Sequence, residues 1–82
     1  MRLDKFLKTS RVFKRRTVAK EIALHQKISV NGRLAKPSTN VDKGDVVTIS
    51  YRDKELTFRI LDVAMHASKD EAGGMYEVIS EN

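Results

Sequence analysis

Cysteine is absent from this sequence of 82 residues, and histidine occurs only at His25 and His66. Without cysteine the chain has neither a disulfide framework nor a thiolate metal site, and two isolated imidazoles cannot supply a structural zinc site. We therefore expect no metal and no cofactor, and we interpret both histidines as surface residues. The fold must be held together by side-chain packing alone.

Long apolar runs are also missing. The N-terminal segment MRLDKFLK lacks the run of about 7–15 apolar residues that a signal peptide needs. No stretch approaches the roughly 20 apolar residues of a membrane-spanning helix. These absences predict a cytoplasmic protein.

The sequence offers little for catalysis. A chain of this length buries only about 60–65% of the surface that its unfolded form exposes, so we expect a single domain over residues 1–82 with a small core. It contains no nucleophile paired with a base, no glycine-rich phosphate loop and no carboxylate cluster with metal-ligand spacing. We therefore expect that the protein is not an enzyme.

Acidic residues are scarce in the first part of the chain. Residues 2–36 contain eleven Lys or Arg against only Asp4 and Glu21, a balance of +9, whereas residues 37–82 contain five Lys or Arg against nine acidic residues, a balance of −4. Charge separated in this way predicts one electropositive face, which indicates a nucleic-acid partner more strongly than net charge does.

Two N-terminal helices are predicted from the spacing of apolar residues. Leu3, Phe6 and Leu7 follow the helical repeat and predict a short helix from about Leu3 to Thr9. Asp4 in its first turn favours the positive end of the helix dipole or forms an internal salt bridge. From Thr17 onward a second apolar stripe follows the same repeat, directly after the basic run KRR. The first N–H groups of a helix have no partner within the helix. Because the second helix starts beside several cationic side chains, its N-terminus is predicted to be a phosphate site.

The candidate RNA-binding residues are the cations on and between these helices. They are Arg2, Lys5, Lys8, Arg11, Lys14, Arg15, Arg16, Lys20 and Lys27. The alternative interpretation is a merely solvated face, as charge runs usually are, and Arg33 in the following turn is open to both. The scarcity of nearby acids and the clustering at a helix start favour RNA.

Strands are predicted after residue 27. Asn31-Gly32 is a strong signal for a β-hairpin turn, because a type I′ turn needs positive φ at both central residues. The segments around it alternate or are rich in β-branched residues. The predicted strands are Ile28–Val30, Arg33–Lys36, Val46–Tyr51, Leu56–Leu61 and Met75–Ile79, with a charged hairpin tip at Arg52–Glu55 and a mobile loop at His66–Gly74.

Five short motifs in order resemble one known family. They are RLDKFL from residue 2, KRRTVA from residue 14, ISVNG from residue 28, KPS from residue 36 and VDKGDVV from residue 41. This pattern resembles the alpha-L motif, the RNA-binding domain named after ribosomal small-subunit protein four. The resemblance covers residues 2–50 and implies an α+β fold, in which two N-terminal helices pack on a small, mostly antiparallel β-sheet and present a basic surface to structured RNA.

Two positions depart from the family pattern. Arg15 stands where the family usually has serine, so the hydroxyl cap of the second helix is missing, which costs on the order of 1 kcal/mol. Gln26 stands where a glycine usually closes that helix in a left-handed conformation. Arg16 matches the arginine that follows the small polar residue in the family. The positive charge of Arg15 at the positive end of a helix makes sense only if an anion binds there.

The chain is most similar to small stand-alone bacterial members of the family in the segments MRLDKFLK, KRRTVAKE and MYEVIS. Because the motif begins next to Met1 and only about thirty residues follow it, we expect no appended enzyme domain. The resemblance implies a ribosome-associated quality control factor that binds the stalled large (50S) ribosomal subunit, contacts large-subunit rRNA and peptidyl-tRNA, and supports alanine tailing by its partner factor RqcH. We expect a monomer and no membrane partner.

Three other functions remain open at this stage. A heat-shock member of the same family also rescues obstructed large subunits, although its longer basic C-terminal extension is absent here. The acidic half of the chain predicts, alternatively, a ribosome assembly or protein-interaction module in which the basic half is incidental. General DNA binding is the third possibility.

Overall fold

A computed structural model describes residues 1–12, 27–51, 54–64 and 69–81. Two helices and five strands occur in these ranges. In chain order they are α1 (Leu3–Thr9), β1 (Ile28–Val30), β2 (Arg33–Leu34), β3 (Val46–Tyr51), β4 (Lys54–Ile60), α2 (Lys69–Ala72) and β5 (Tyr76–Glu81). None of the helices in this part of the chain is long and apolar enough to cross a membrane. The second N-terminal helix predicted from Thr17 lies outside the described residues.

The strands form one antiparallel sheet in the order β2-β1-β3-β4-β5. β3 is the central strand, and β2 and β5 are the two edges. The register places Val47 opposite both Val30 and Phe58, so these three side chains share one face of the sheet. That face is the inner one, because Val47 and Phe58 are both fully buried.

Helix α1 supplies the other half of the core. Its stripe of Leu3, Phe6 and Leu7 is buried, as the helical spacing predicted. The ring of Phe6 stacks on Phe58 with 6.1 Å between the centroids, and Tyr76 meets Phe58 edge-on at 5.5 Å. The helix is therefore fixed to the sheet through one central aromatic contact, and its polar face is left for solvent or a ligand.

The predicted hairpin turn is confirmed. Asn31 and Gly32 have φ of 52° and 82°, as a type I′ turn requires. The Asn31 side chain also ties the turn to the start of β3, because its Nδ2 donates to Asp45 at 3.1 Å and its Oδ1 accepts from the Val46 N–H at 2.9 Å. The turn is thus held by tertiary contacts as well as by local conformation.

Several predicted boundaries are wrong. The prediction of a mobile loop at His66–Gly74 fails in its described part, where α2 forms at Lys69–Ala72. Ala72 and Met75 are buried there, and the burial of these apolar side chains fixes the segment. Lys54 and Glu55 belong to β4 rather than to a hairpin tip, because each pairs with a residue of β3. Residues 52–53 and 65–68 lie outside the described part.

Both edge strands also differ from their predicted bounds. β2 ends at Leu34, two residues before the predicted end, although the Ala35 N–H still donates to the Ile28 carbonyl at 2.7 Å. β5 begins one residue later than predicted and continues to Glu81. A register shift between Thr57 and Phe58 of β4 interrupts the simple two-face alternation predicted for the last strand.

Candidate nucleic-acid interface

The outer face of α1 carries exposed cations. Its apolar stripe is buried in the core, whereas Lys8 and the following Arg11 are exposed and Lys5, one turn before Lys8, is half-buried. Lys5 and Lys8 are one helical turn apart, which makes them neighbours on the helix surface. The helical repeat that buries the apolar stripe therefore also gathers these side chains on one exposed surface.

Backbone hydrogen bonds hold the N-terminus of α1 against the loop before β3. The Leu3 N–H donates to the Thr39 carbonyl at 2.7 Å and the Asp4 N–H to the Pro37 carbonyl at 3.0 Å. Arg2 forms an isolated antiparallel bridge with Asn40. Two of the N–H groups that a helix start leaves unpaired are thus already satisfied. The backbone at this end of α1 positions Arg2 rather than binding an anion itself.

Arg2 forms an ion pair with Asp4, as one interpretation of that acid predicted. The Arg2 Nε and Nη2 atoms donate to the two carboxylate oxygens of Asp4 at 3.2 Å each. The side chains are 59% and 43% exposed, and pairs this exposed contribute only about 0–1 kcal/mol. A guanidinium group has five N–H donors, so this pair orients Arg2 and leaves donors for a phosphate.

Arg11 lies at the end of α1 in a conformation that glycine usually occupies. Its φ is 57°, and its N–H donates to the Lys8 carbonyl at 3.3 Å while the Ser10 N–H donates to Phe6 at 2.8 Å. The left-handed conformation costs a residue with a Cβ roughly 1–2 kcal/mol. Glycine would avoid this cost, yet an exposed arginine stands here. Strain of this kind is often found at functional sites.

A second exposed group of cations lies around the β1-β2 hairpin. Lys27 precedes β1, Arg33 begins β2 and Lys36 follows it, and all three are exposed. We call Lys27, Arg33 and Lys36 the basic edge, because β2 is an edge strand of the sheet. Lys36 was counted in the charge balance but not among the candidate site residues. Its position just after a predicted hairpin strand is the sequence feature that could have identified it as a candidate.

Most of these cations have no ion-pair partner among the residues that the structure describes. In the described ranges the ion pairs are Arg2 with Asp4 and, at 3.5 Å, Lys43 with Asp62. No described carboxylate lies within ion-pair distance of Lys5, Lys8, Arg11, Lys27, Arg33 or Lys36. Exposed cations without paired acids keep their full field for a polyanion. No group of three metal-ligating side chains occurs among the described residues.

The remaining predicted site residues fall in the undescribed part of the chain. Lys14, Arg15, Arg16 and Lys20 lie outside the described residues, as do His25 and His66. Within the described ranges, Arg2, Lys5, Lys8 and Arg11 are brought together on and around one short helix. Lys27 lies apart from them in sequence, at the start of the basic edge.

A family model described as the S4 domain matches residues 1–47 of the chain. The chain is also similar over nearly its whole length to two bacterial proteins, each named an RQC P-site tRNA stabilizing factor. The protein from Streptococcus pneumoniae is 52% identical over 81 residues, covering 99% of this chain and 92% of that one. The protein from Bacillus subtilis is 46% identical over 81 residues, covering 99% and 94%.

A solved structure shares the fold. The trimeric structure of Vibrio cholerae heat shock protein 15 superposes with a TM-score of 0.79 and 31% sequence identity, covering 98% of this chain and 82% of that one. The antiparallel sheet with α1 packed on it is therefore an arrangement that a related protein also adopts.

Proposed function

Because this chain belongs to the S4 domain family and, within it, to the family of RQC P-site tRNA stabilizing factors, we propose that it binds the stalled large ribosomal subunit. There it contacts rRNA and the peptidyl-tRNA and holds that tRNA in place. This role needs no chemistry from the protein, so we propose a binding factor rather than an enzyme. It is a ribosome-associated, cytoplasmic role.

The observation that carries the proposal is the set of cations on and after α1 that have no ion-pair partner in the described ranges. Lys8 and Arg11 are exposed, and no described carboxylate pairs with them. Phosphate contacts supply most of the affinity of such a surface, and they fix the position of a protein on RNA without reading sequence. A-form RNA hides its base edges in a deep, narrow groove. The protein would therefore recognise the shape of folded RNA.

The cations outside the described residues complete the proposed surface. We assign Lys14, Arg15, Arg16 and Lys20 to the same RNA contact, at the start of the second N-terminal helix that the sequence predicts from Thr17. Support comes from their position in the chain, since they follow Arg11 within nine residues. We infer further that the bound protein supports alanine tailing of the blocked nascent chain by RqcH, and that it acts as a monomer.

The experiment compares two charge-matched double variants in co-sedimentation with large subunits that carry peptidyl-tRNA. Lys8→Gln with Arg11→Gln removes two cations from α1 and its end. Lys43→Gln with Arg59→Gln removes two exposed cations from the acidic half of the chain. We expect the first variant to bind about tenfold or more weakly, because hydrogen bonds to charged groups contribute about 1.5–3 kcal/mol each.

Salt dependence provides the second measurement. The slope of log affinity against log salt should fall by about 0.9 for each phosphate that the variant no longer neutralises, so the first variant should show a smaller slope than the control. Equal reductions in affinity for the two double variants would mean that net charge alone drives binding. That result would reject the α1 surface as the site.

The alternative function is that of a heat-shock member that recycles obstructed large subunits. The structural similarity to heat shock protein 15 of Vibrio cholerae favours it. Assays of alanine tailing with and without this protein separate the two functions. A factor that only recycles subunits should leave the yield of alanine tails unchanged.

A further inference from the structure

Within the described part of the chain, the strand β5 is an open edge of the sheet. It pairs there with β4 alone, and no backbone hydrogen bond between described residues reaches its outer side. An edge strand presents a row of unpaired N–H and C=O groups to any extended chain. β5 spans Tyr76–Glu81 and contains neither proline nor lysine, which often protect such edges.

Apolar side chains are exposed along this edge. Val78 lies opposite Phe58 and so shares the inner face of the sheet, yet it is 48% exposed. Ile79 falls between the partners of Thr57 and Phe58 and is 50% exposed. Leu61, whose N–H donates to Met75 just before β5, is also exposed. The edge therefore offers apolar contacts beside its free backbone groups.

The charge of the edge is acidic. Glu77 and Glu81 are exposed, and β5 contains no basic residue. Glu77 faces Arg59 across the sheet, whereas Glu81 lies opposite Leu56. An RNA backbone would be repelled by these carboxylates. A polypeptide with basic side chains would instead pair with them, since opposite charges on adjacent strands attract.

A second copy of the chain fits this edge poorly. Two β5 strands brought edge to edge would place four carboxylates, those of Glu77 and Glu81 from each copy, along a junction to which β5 contributes no basic residue. Like charges close together on neighbouring strands destabilise a strand pair. The two glutamates therefore select against self-association at the same time as they attract a basic strand.

We propose that β5 is a docking edge for an extended, basic segment of a protein partner, which adds to the sheet as a further strand. Main-chain hydrogen bonds to β5 provide the affinity. Glu77 on the outer face and Val78 on the inner face select for neighbouring basic and apolar side chains, and Glu81 adds to the attraction for a basic segment. The basic edge lies at the opposite end of the sheet, about 19 Å away for four strand spacings of roughly 4.8 Å. Both surfaces are available at once.

The test uses the full-length protein and a fluorescein-labelled octapeptide of alternating lysine and valine. We expect saturable binding in fluorescence anisotropy and amide shifts that concentrate at Tyr76–Glu81 in heteronuclear NMR. Glu77→Gln with Glu81→Gln should weaken binding about two- to tenfold, because the variant removes the two carboxylates of β5 that attract the lysine side chains. Both side chains are exposed, so this variant should fold normally and bind RNA undiminished.

Two matched probes identify the mode of binding. An octapeptide of alternating glutamate and valine should not bind. A Lys-Val octapeptide with N-methyl groups on every second residue keeps its charge but loses the N–H donors along one side of its backbone. It therefore cannot form the hydrogen bonds of a strand pair with β5 on that side, and it should bind at least tenfold more weakly.

Equal binding of the methylated and unmethylated peptides would overturn strand addition, and so would affinity that Glu77→Gln with Glu81→Gln leaves unchanged. Shifts of β5 amides on addition of rRNA fragments, or on raising the concentration of the protein alone, would assign the edge to RNA or to a second copy instead.

Discussion

The substitution Arg11→Gly should make the protein more stable and less able to bind RNA. Arg11 has a φ of 57°, a conformation that costs a residue with a Cβ about 1–2 kcal/mol and costs glycine almost nothing. Glycine also gains entropy in the unfolded chain, which removes roughly 0.5–1 kcal/mol of that advantage. The net change in the free energy of unfolding is therefore a gain of about 0.5–1 kcal/mol, or roughly 2–8 °C in Tm for a domain of this size.

The comparison with Arg11→Ala isolates this effect. Both variants lack the same exposed cation, so both should show the same reduced RNA affinity in a titration with large-subunit rRNA. Alanine keeps the Cβ and its strain, so urea unfolding should show the stability gain in the glycine variant alone. If the alanine and glycine variants are equally stable, the strain at Arg11 is not real. If the glycine variant binds RNA like the wild type, Arg11 is not part of the interface.

Two further predictions concern α1. Phe6→Ala removes a fully buried ring that stacks on Phe58. The substitution should lower the free energy of unfolding by about 3–5 kcal/mol. A decrease below about 1 kcal/mol in urea unfolding would contradict the role of the aromatic contact in anchoring the helix. Asp4→Asn breaks an exposed ion pair, so stability should change by less than about 1 kcal/mol while RNA affinity rises. An unchanged affinity in filter binding would mean that Asp4 does not compete for Arg2.

The strongly patterned elements were predictable because local rules decide them. The spacing of Leu3, Phe6 and Leu7 predicted α1 with the observed bounds of Leu3–Thr9. The Asn31-Gly32 dipeptide determined the hairpin, since few other residues accept positive φ at both positions. The β-branched run at Val46–Tyr51 became the central strand. In each case one short segment contains the physical reason for its own structure.

Other features depend on distant parts of the chain. α2 lies in a segment whose composition predicts a polar loop, and it is fixed by the burial of Ala72 and Met75. The left-handed conformation of Arg11 has no local signal, because glycine is the residue expected there. The backbone bridge between Arg2 and Asn40 joins residues almost forty positions apart. Such contacts arise only when the core assembles.

The sequence alone determined the separation of charge, with eleven cations gathered in residues 2–36, because composition is independent of folding. It also determined the family, since the order and spacing of the motifs survive without coordinates. For residues 1–12, 27–51, 54–64 and 69–81, the tertiary structure decided which charges have no ion-pair partner and which backbone edge is open. Those properties depend on neighbours that folding brings together. The order of the described strands leaves β5 with one free side, and the docking of α1 leaves Lys8 and Arg11 exposed.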